Sequence, residues 1–116
     1  MVIRYDLNTN ELSDSPQLAY VIKDECRFAY DTKKVFTHTL AEIYYVTEGR
    51  GNLQVNGNVY KLHGGDYFVI NPYVRHGEFL NRDKDEQFTY YILGINNFRL
   101  QTNGEQEIYI PRRLSP

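Results

Sequence analysis

Two short apolar runs, Leu53-Gln-Val55 and Val59-Tyr-Lys-Leu62, stand on either side of Asn56-Gly57. Asn-Gly between such runs is the strongest local signal for a two-residue hairpin, because both central residues of the favoured turn need positive φ. The middle of the chain is therefore committed to antiparallel pairing, and the flanks extend the pattern. Glu42-Ile-Tyr-Tyr-Val-Thr47 is β-branched and aromatic, and Tyr67-Phe-Val-Ile70 is a continuous apolar run of the kind found in a buried strand. Eleven Tyr and six Phe, against one Met and no Trp, favour a pleated, half-buried surface. No stretch holds the three-to-four spacing of a long amphipathic helix. The expected class is all-β: roughly eight to ten short antiparallel strands, closed into a barrel or sandwich so that few edges stay open.

The punctuation sets the organisation. Residues 1–16 are polar and turn-rich after Val2-Ile3 and read as an N-terminal arm; residues 17–110 read as the barrel, and 111–116 as a linker or chain end. Within the barrel, residues 18–22 and 27–30 read as two strands parted by a charged break at Lys23-Asp24-Glu25. Glu48-Gly49-Arg50-Gly51 reads as a tight turn ending the strand that starts at Glu42. Further turns are expected at Gly64-Gly65-Asp66 and Asn71-Pro72-Tyr73, followed by strands at 77–80 and 87–93 around a charged loop at 81–86. After the Asn96-Asn97 break and a polar turn at 101–105, a last short strand is expected at 107–110. The sequence shows no internal repeat.

At 116 residues and 41% hydrophobic content the chain suits one domain, which at this size buries roughly two-thirds of its unfolded surface. A net charge of −2, with basic residues scattered among acidic ones, leaves no electrostatic footprint for nucleic acid. Cys26 is the single cysteine, so no intramolecular disulfide forms, and it reads as a buried, inert thiol. With no signal-peptide pattern and no apolar run of about eighteen residues, a cytoplasmic setting is the expectation.

One constellation stands out from this background. His38 and Glu42 share parity along an extended chain, so a strand would turn both to one face, and His76 arrives from a later strand that a closed barrel brings close. Tyr44 shares that parity and Tyr45 opposes it, which makes Tyr44 the first aromatic candidate for a pocket wall, ahead of Tyr67, Tyr73 and Tyr90. Arg75, beside His76, could pair with an anionic ligand. Asp66 is expected to hydrogen-bond its own turn. The neighbouring glycines serve hairpin geometry, since no helix start follows to cradle a phosphate. No nucleophilic triad can be assembled.

These residues resemble the cupin superfamily. Phe36-x-His38, three residues, Glu42, six residues and Gly49 follow most of the first cupin motif, and the span from Gly65 to His76 matches the second. Asn71, Tyr73 and Leu80 stand where that motif has Pro, Gly and Asn. Within the superfamily, Glu-Ile-Tyr-Tyr-Val-Thr-Glu-Gly-Arg-Gly and Gly-Asp-Tyr-Phe-Val-Ile-Asn-Pro-Tyr-Val-Arg-His-Gly-Glu look most like the N-terminal effector-sensing domain of AraC-type transcriptional regulators, over about residues 25 to 95. The resemblance implies a jelly-roll, double-stranded β-helix that senses a sugar or another small metabolite and performs no chemistry. It further implies a homodimer that reaches DNA only through a C-terminal helix-turn-helix region, which this sequence does not contain, so an excised sensor domain is the expected reading.

Metal cupins carry a further histidine where Phe36 stands here. An apolar ring suits stacking on a sugar face, so no metal or other cofactor is expected. The rival reading is a small metal-dependent cupin enzyme, an isomerase or dioxygenase, with His38, Glu42 and His76 as ligands. A stand-alone carbohydrate-binding cupin is a third. In the sensor reading the ligand-binding residues are Phe36, His38, Glu42, Tyr44, Arg75 and His76, and the arm before Pro16 is the candidate moving part.

Overall fold

The computed structural model describes residues 2–10, 12–26, 35–81, 86–100 and 108–109. Eight strands occur among them: β1 (Ile3–Asp6), β2 (Gln17–Cys26), β3 (Ala41–Val55), β4 (Asn58–His63), β5 (Tyr67–Ile70), β6 (His76–Phe79), β7 (Glu86–Asn96) and β8 (Ile108–Tyr109). All pair antiparallel in the order β1-β2-β7-β3-β5-β8, with β4 and β6 also on β3. The fold is all-β and antiparallel throughout, as expected. No helix among the described residues is long and apolar enough to cross a membrane. The expected strand at 27–30 and the stretches 101–107 and 110–116 lie outside the described residues.

β3 organises the barrel because it belongs to two strand groups at once. Its first half runs between β5 and β7, with Glu42 opposite both Ile70 and Gly94; its second half runs between β4 and β6, with Val55 opposite both Asn58 and His76. The passage from one group to the other is made by two register shifts against β7, between Val46 and Glu48 and between Glu48 and Arg50. Such bulges bend a strand and raise its twist. This corrects the tight turn expected at Glu48-Gly49-Arg50-Gly51: the chain bends there without reversing. The glycines serve close approach instead. Gly49 has φ 91°, and a Cβ on it would lie 2.3 Å from the Gln87 carbonyl oxygen; one on Gly51 would lie 2.1 Å from the Phe88 ring.

Lys23-Asp24-Glu25 is likewise a strand and not a break, pairing with Tyr91, Tyr90 and Thr89 of β7. Charge did not interrupt the ladder because alternation disposes of it: Lys23 lies outside, over the Tyr91 ring, while Asp24 accepts a hydrogen bond from the Tyr90 hydroxyl within. The hairpin at Asn56-Gly57 forms as read, with both residues at positive φ. The first residues do more than trail: Ile3–Asp6 adds an edge strand to β2, and Asn97 donates to the carbonyls of Ser13 and Ser15.

Inside, aromatic rings form a connected stack. Tyr44 lies against Phe68 at 4.7 Å and against Tyr90 at 5.6 Å, and Phe88 continues the line 5.5 Å from Tyr90. Leu53, Val46, Ile70 and Cys26 close the core around them. Because Phe88 is fully buried and its ring fills the space over Gly51, Gly51→Ala is expected to cost about 1–3 kcal/mol in urea unfolding. Adding Phe88→Leu should cost less than the sum of the two single changes, and strict additivity would contradict the contact.

Candidate functional site

Glu42 enters the barrel interior from β3, and the two histidines reach it by different routes. His76 begins β6, directly after the turn at Asn71-Pro72-Tyr73. His38 precedes β3, so strand parity does not carry it inward as the spacing alone suggested. Its segment is tied down through the backbone instead. Phe36 and His76 exchange N–H···O bonds of 2.7 and 2.9 Å, and the Tyr73 N–H donates to the His38 carbonyl at 2.7 Å. The outcome is one cluster: His38 Nε2 lies 3.5 Å and His76 Nε2 3.2 Å from Glu42 Oε1. One donor atom from each of the three residues lies within 4.8 Å of the others.

Tyr20 completes the surroundings of Glu42, and the sequence reading missed it. Its hydroxyl donates to Glu42 Oε2. Gly94 makes this contact available. In the register, Gly94 of β7 faces Tyr20 of β2 on one side and Glu42 of β3 on the other, and a Cβ there would sit 2.2 Å from the Tyr20 ring. The tyrosine lies across the empty position to reach the carboxylate. The available signal was parity: Tyr20 alternates with Ala19 and Val21 along a strand whose register sets it opposite a glycine.

The protonation pattern follows from the partners. His76 Nδ1 is 2.9 Å from the Val74 carbonyl, which can only accept, so Nδ1 carries a proton. In the neutral imidazole, Nε2 would then present a lone pair to Glu42 Oε1, and neither atom makes a well-formed hydrogen bond elsewhere. A proton or a cation between them relieves this. Burial opposes charge on His76 most strongly, yet Glu42, the Val74 carbonyl and Glu78 together raise it above the usual 6.5. Burial also opposes ionisation of Glu42, and the bonds from His76 and Tyr20 overcome it and hold the carboxyl below 4.5. His38 goes the other way, lowered by desolvation against a weaker pull from Glu42.

Around the cluster lies a cavity of about 160 Å³. Its wall includes Phe36, His38, Glu42 and Tyr44, together with Tyr20 and three charged residues that the sequence reading did not assign to a site, Arg4, Asp24 and Glu78. Glu78 is buried, accepts from the Tyr44 hydroxyl, and is raised above the ordinary carboxylate range, chiefly by desolvation. It shares strand parity with His76, a usable signal that the reading passed over. Phe36 stacks on His38 at 6.1 Å and stays 44% exposed at the mouth. Arg75 is not brought to this cavity; it borders a separate open groove with Val35, Gln54, Asn56 and Gly57. Tyr67 and Tyr73 are exposed, whereas Tyr90 is buried against Tyr44 in the cavity wall. Asp66 accepts from the His63 N–H within its own turn, as expected.

A family described as AraC-like ligand binding domain matches residues 21–113. The chain belongs to that family. No curated protein matches it by sequence. Among solved structures, the AraC-like domain is similar to the protein YhaK from Escherichia coli, with 14% identity, a TM-score of 0.67, and 95% of this chain and 50% of that one covered. It is also similar to a Cupin 2 conserved barrel domain protein from Salinispora arenicola (20% identity, TM-score 0.57, 80% and 74% covered). A third is salicylate 1,2-dioxygenase from Pseudoaminobacter salicylatoxidans (22% identity, TM-score 0.59), of which the chain spans 24%. These likenesses establish the cupin fold of the AraC-like domain.

Two outcomes follow for the site. Charged His76 contributes stability that is complete below pH 6.5 and is lost as the pH rises through its raised value, while His38 acts in the opposite sense and below pH 6.5. The melting temperature should therefore fall above pH 6.5, and His76→Gln should flatten that limb; an unchanged fall in the variant would refute the pairing. Gly94→Ala should displace Tyr20 and destabilise by about 1–3 kcal/mol, but cost far less in a Tyr20→Ala background. Equal costs in the two backgrounds would contradict the seating of Tyr20 on Gly94.

Proposed function

We propose that this chain is the effector-binding domain of an AraC-type transcriptional regulator, with a small polar metabolite, a sugar being the expected class, held in the barrel cavity. The supporting observation is the cavity itself: a polar wall of His38, Glu42 and Tyr20 joined to aromatic surface from Phe36 and Tyr44, inside a fold of the ligand-binding family. Carboxylate and imidazole groups exchange hydrogen bonds with hydroxyls, and an exposed ring at the mouth offers a face for stacking. The domain performs no chemistry in this reading. It works in the cytoplasm, as a homodimer, with DNA contacts left to a helix-turn-helix region.

The route for a signal runs through β1. Arg4 lies 4.5 Å over the Tyr20 ring, and Tyr20 bonds Glu42, so a ligand that engages Glu42 bears on the N-terminal strand through two contacts. An effector shifts such an equilibrium only by its difference in affinity for the two arrangements.

A second reading is favoured by the convergence of His38 Nε2, His76 Nε2 and Glu42 Oε1, two of them without a well-formed hydrogen bond. This donor set fits a divalent ion, and the Val74 carbonyl would fix the His76 tautomer for it. A bound ion would supply a Lewis acid with open positions, as a cupin enzyme needs.

Thermal shift against neutral sugars and small acids tests the leading reading. A ligand at a hundredfold excess over its Kd stabilises by roughly 3 kcal/mol, about 10 °C in Tm for a domain of this size, and Glu42→Gln should abolish the rise. Stoichiometric metal retained through purification and lost in His76→Ala, with no stabilisation by any metabolite, would overturn it in favour of the enzyme.

A further inference from the structure

Beyond the cluster at Glu42, the same cavity carries two more pairs of tyrosine and carboxyl. The Tyr44 hydroxyl bonds Glu78 of β6, and the Tyr90 hydroxyl bonds Asp24 of β2, with the two rings 5.6 Å apart. Three carboxyl groups, from Asp24, Glu42 and Glu78, therefore border a space of about 160 Å³. The basic side chains of its described wall are Arg4 and His38. Arg4 is already engaged, its Nε 3.0 Å from Asp6 and its guanidinium over the Tyr20 ring. Glu42, only 2% exposed, turns Oε1 toward His38 and His76, 3.5 and 3.2 Å away, at the edge of this environment.

Such a wall discriminates among ligands by charge. An anion would enter beside the carboxyls of Asp24 and Glu78, whose partners in this wall are neutral tyrosine hydroxyls, whereas Glu42 is answered by the imidazoles. A neutral hydroxyl gives such a carboxyl one donor and no counter-charge. An ammonium brings three donors and a full charge, and the Tyr44 and Tyr90 rings beside it add the attraction of an aromatic face for a cation. We infer that the cavity takes a compact organic amine, whose ammonium group is held by Glu78 and Asp24 against Tyr44 and Tyr90 while its hydroxyls face Glu42 and the imidazoles. The inference rests on the effector-binding reading and narrows it, from polar metabolites in general to hydroxylated amines, aminated sugars among them.

The test is titration calorimetry and thermal shift on this chain, at pH 6.5 with EDTA present so that no metal contributes. The probes are three amines with their neutral counterparts: ethanolamine and ethylene glycol, serinol and glycerol, glucosamine and glucose, with glucuronate as the acid. At least one amine should bind ten times more tightly than its counterpart. Glu78→Gln should cost that amine at least tenfold, and Tyr90→Phe, which keeps the ring and removes the hydroxyl that bonds Asp24, should also weaken it. Arg75→Ala, outside the cavity, should change nothing. The inference is overturned if no amine exceeds its counterpart, if glucuronate binds best, or if amine binding is indifferent to both cavity variants. A neutral sugar that binds equally well to wild type and Glu78→Gln would overturn it while leaving the effector domain standing. Absence of stabilisation by every probe and every metabolite screened would end both.

Discussion

A carboxylate sunk into a barrel must be answered from several directions, and Glu42 is the point on which this molecule turns. Its two oxygens divide the work: one accepts from Tyr20, and the other faces His38 and His76. Each partner comes from a different part of the chain. Burying an ionised group without partners costs several kcal/mol, so the barrel can hold Glu42 only if β2, β6, β7 and the segment before β3 are all in place. The polar cluster thus reports on the closure of the whole fold.

That closure depends on β3 serving both strand groups. The bulges around Glu48 and the side-chain-free positions at Gly49 and Gly51 let one continuous strand carry Glu42 in its first half and pair with His76 in its second. Gly94 plays the matching part on β7, leaving room for Tyr20 to cross to the carboxylate. Glycines that look like punctuation in the sequence act here as seats for the rings of Phe88 and Tyr20.

Much of this was legible beforehand. The Asn56-Gly57 hairpin, the apolar strand at Tyr67, the inward parity of Glu42 and Tyr44, and the approach of His76 all follow from local periodicity and turn chemistry, which act over a few residues. What escaped the reading depends on partners distant in sequence. The charged run at Lys23 looks like a break until β7 is alongside to receive it, and the glycines at 49 and 51 look like a turn until Phe88 fills the space above them. Parity with His76 could have turned Glu78 inward, but its pairing with Tyr44, and that of Asp24 with Tyr90, exist only because separate strands meet. Arg75 lines the separate groove and not the cavity at Glu42 for the converse reason: adjacency to His76 puts it on the other side of an extended chain.

The central claim is that Glu42 draws both imidazoles into one electrostatic unit at the cavity wall. Nitrogen-15 NMR of the imidazole rings across a pH titration tests it directly, because ring nitrogen shifts report tautomer and charge together. The account predicts that His76 keeps its Nδ1 proton throughout and titrates above 6.5, that His38 titrates below it, and that Glu42→Gln moves both. Imidazoles that titrate alike and ignore the loss of the Glu42 charge would contradict it.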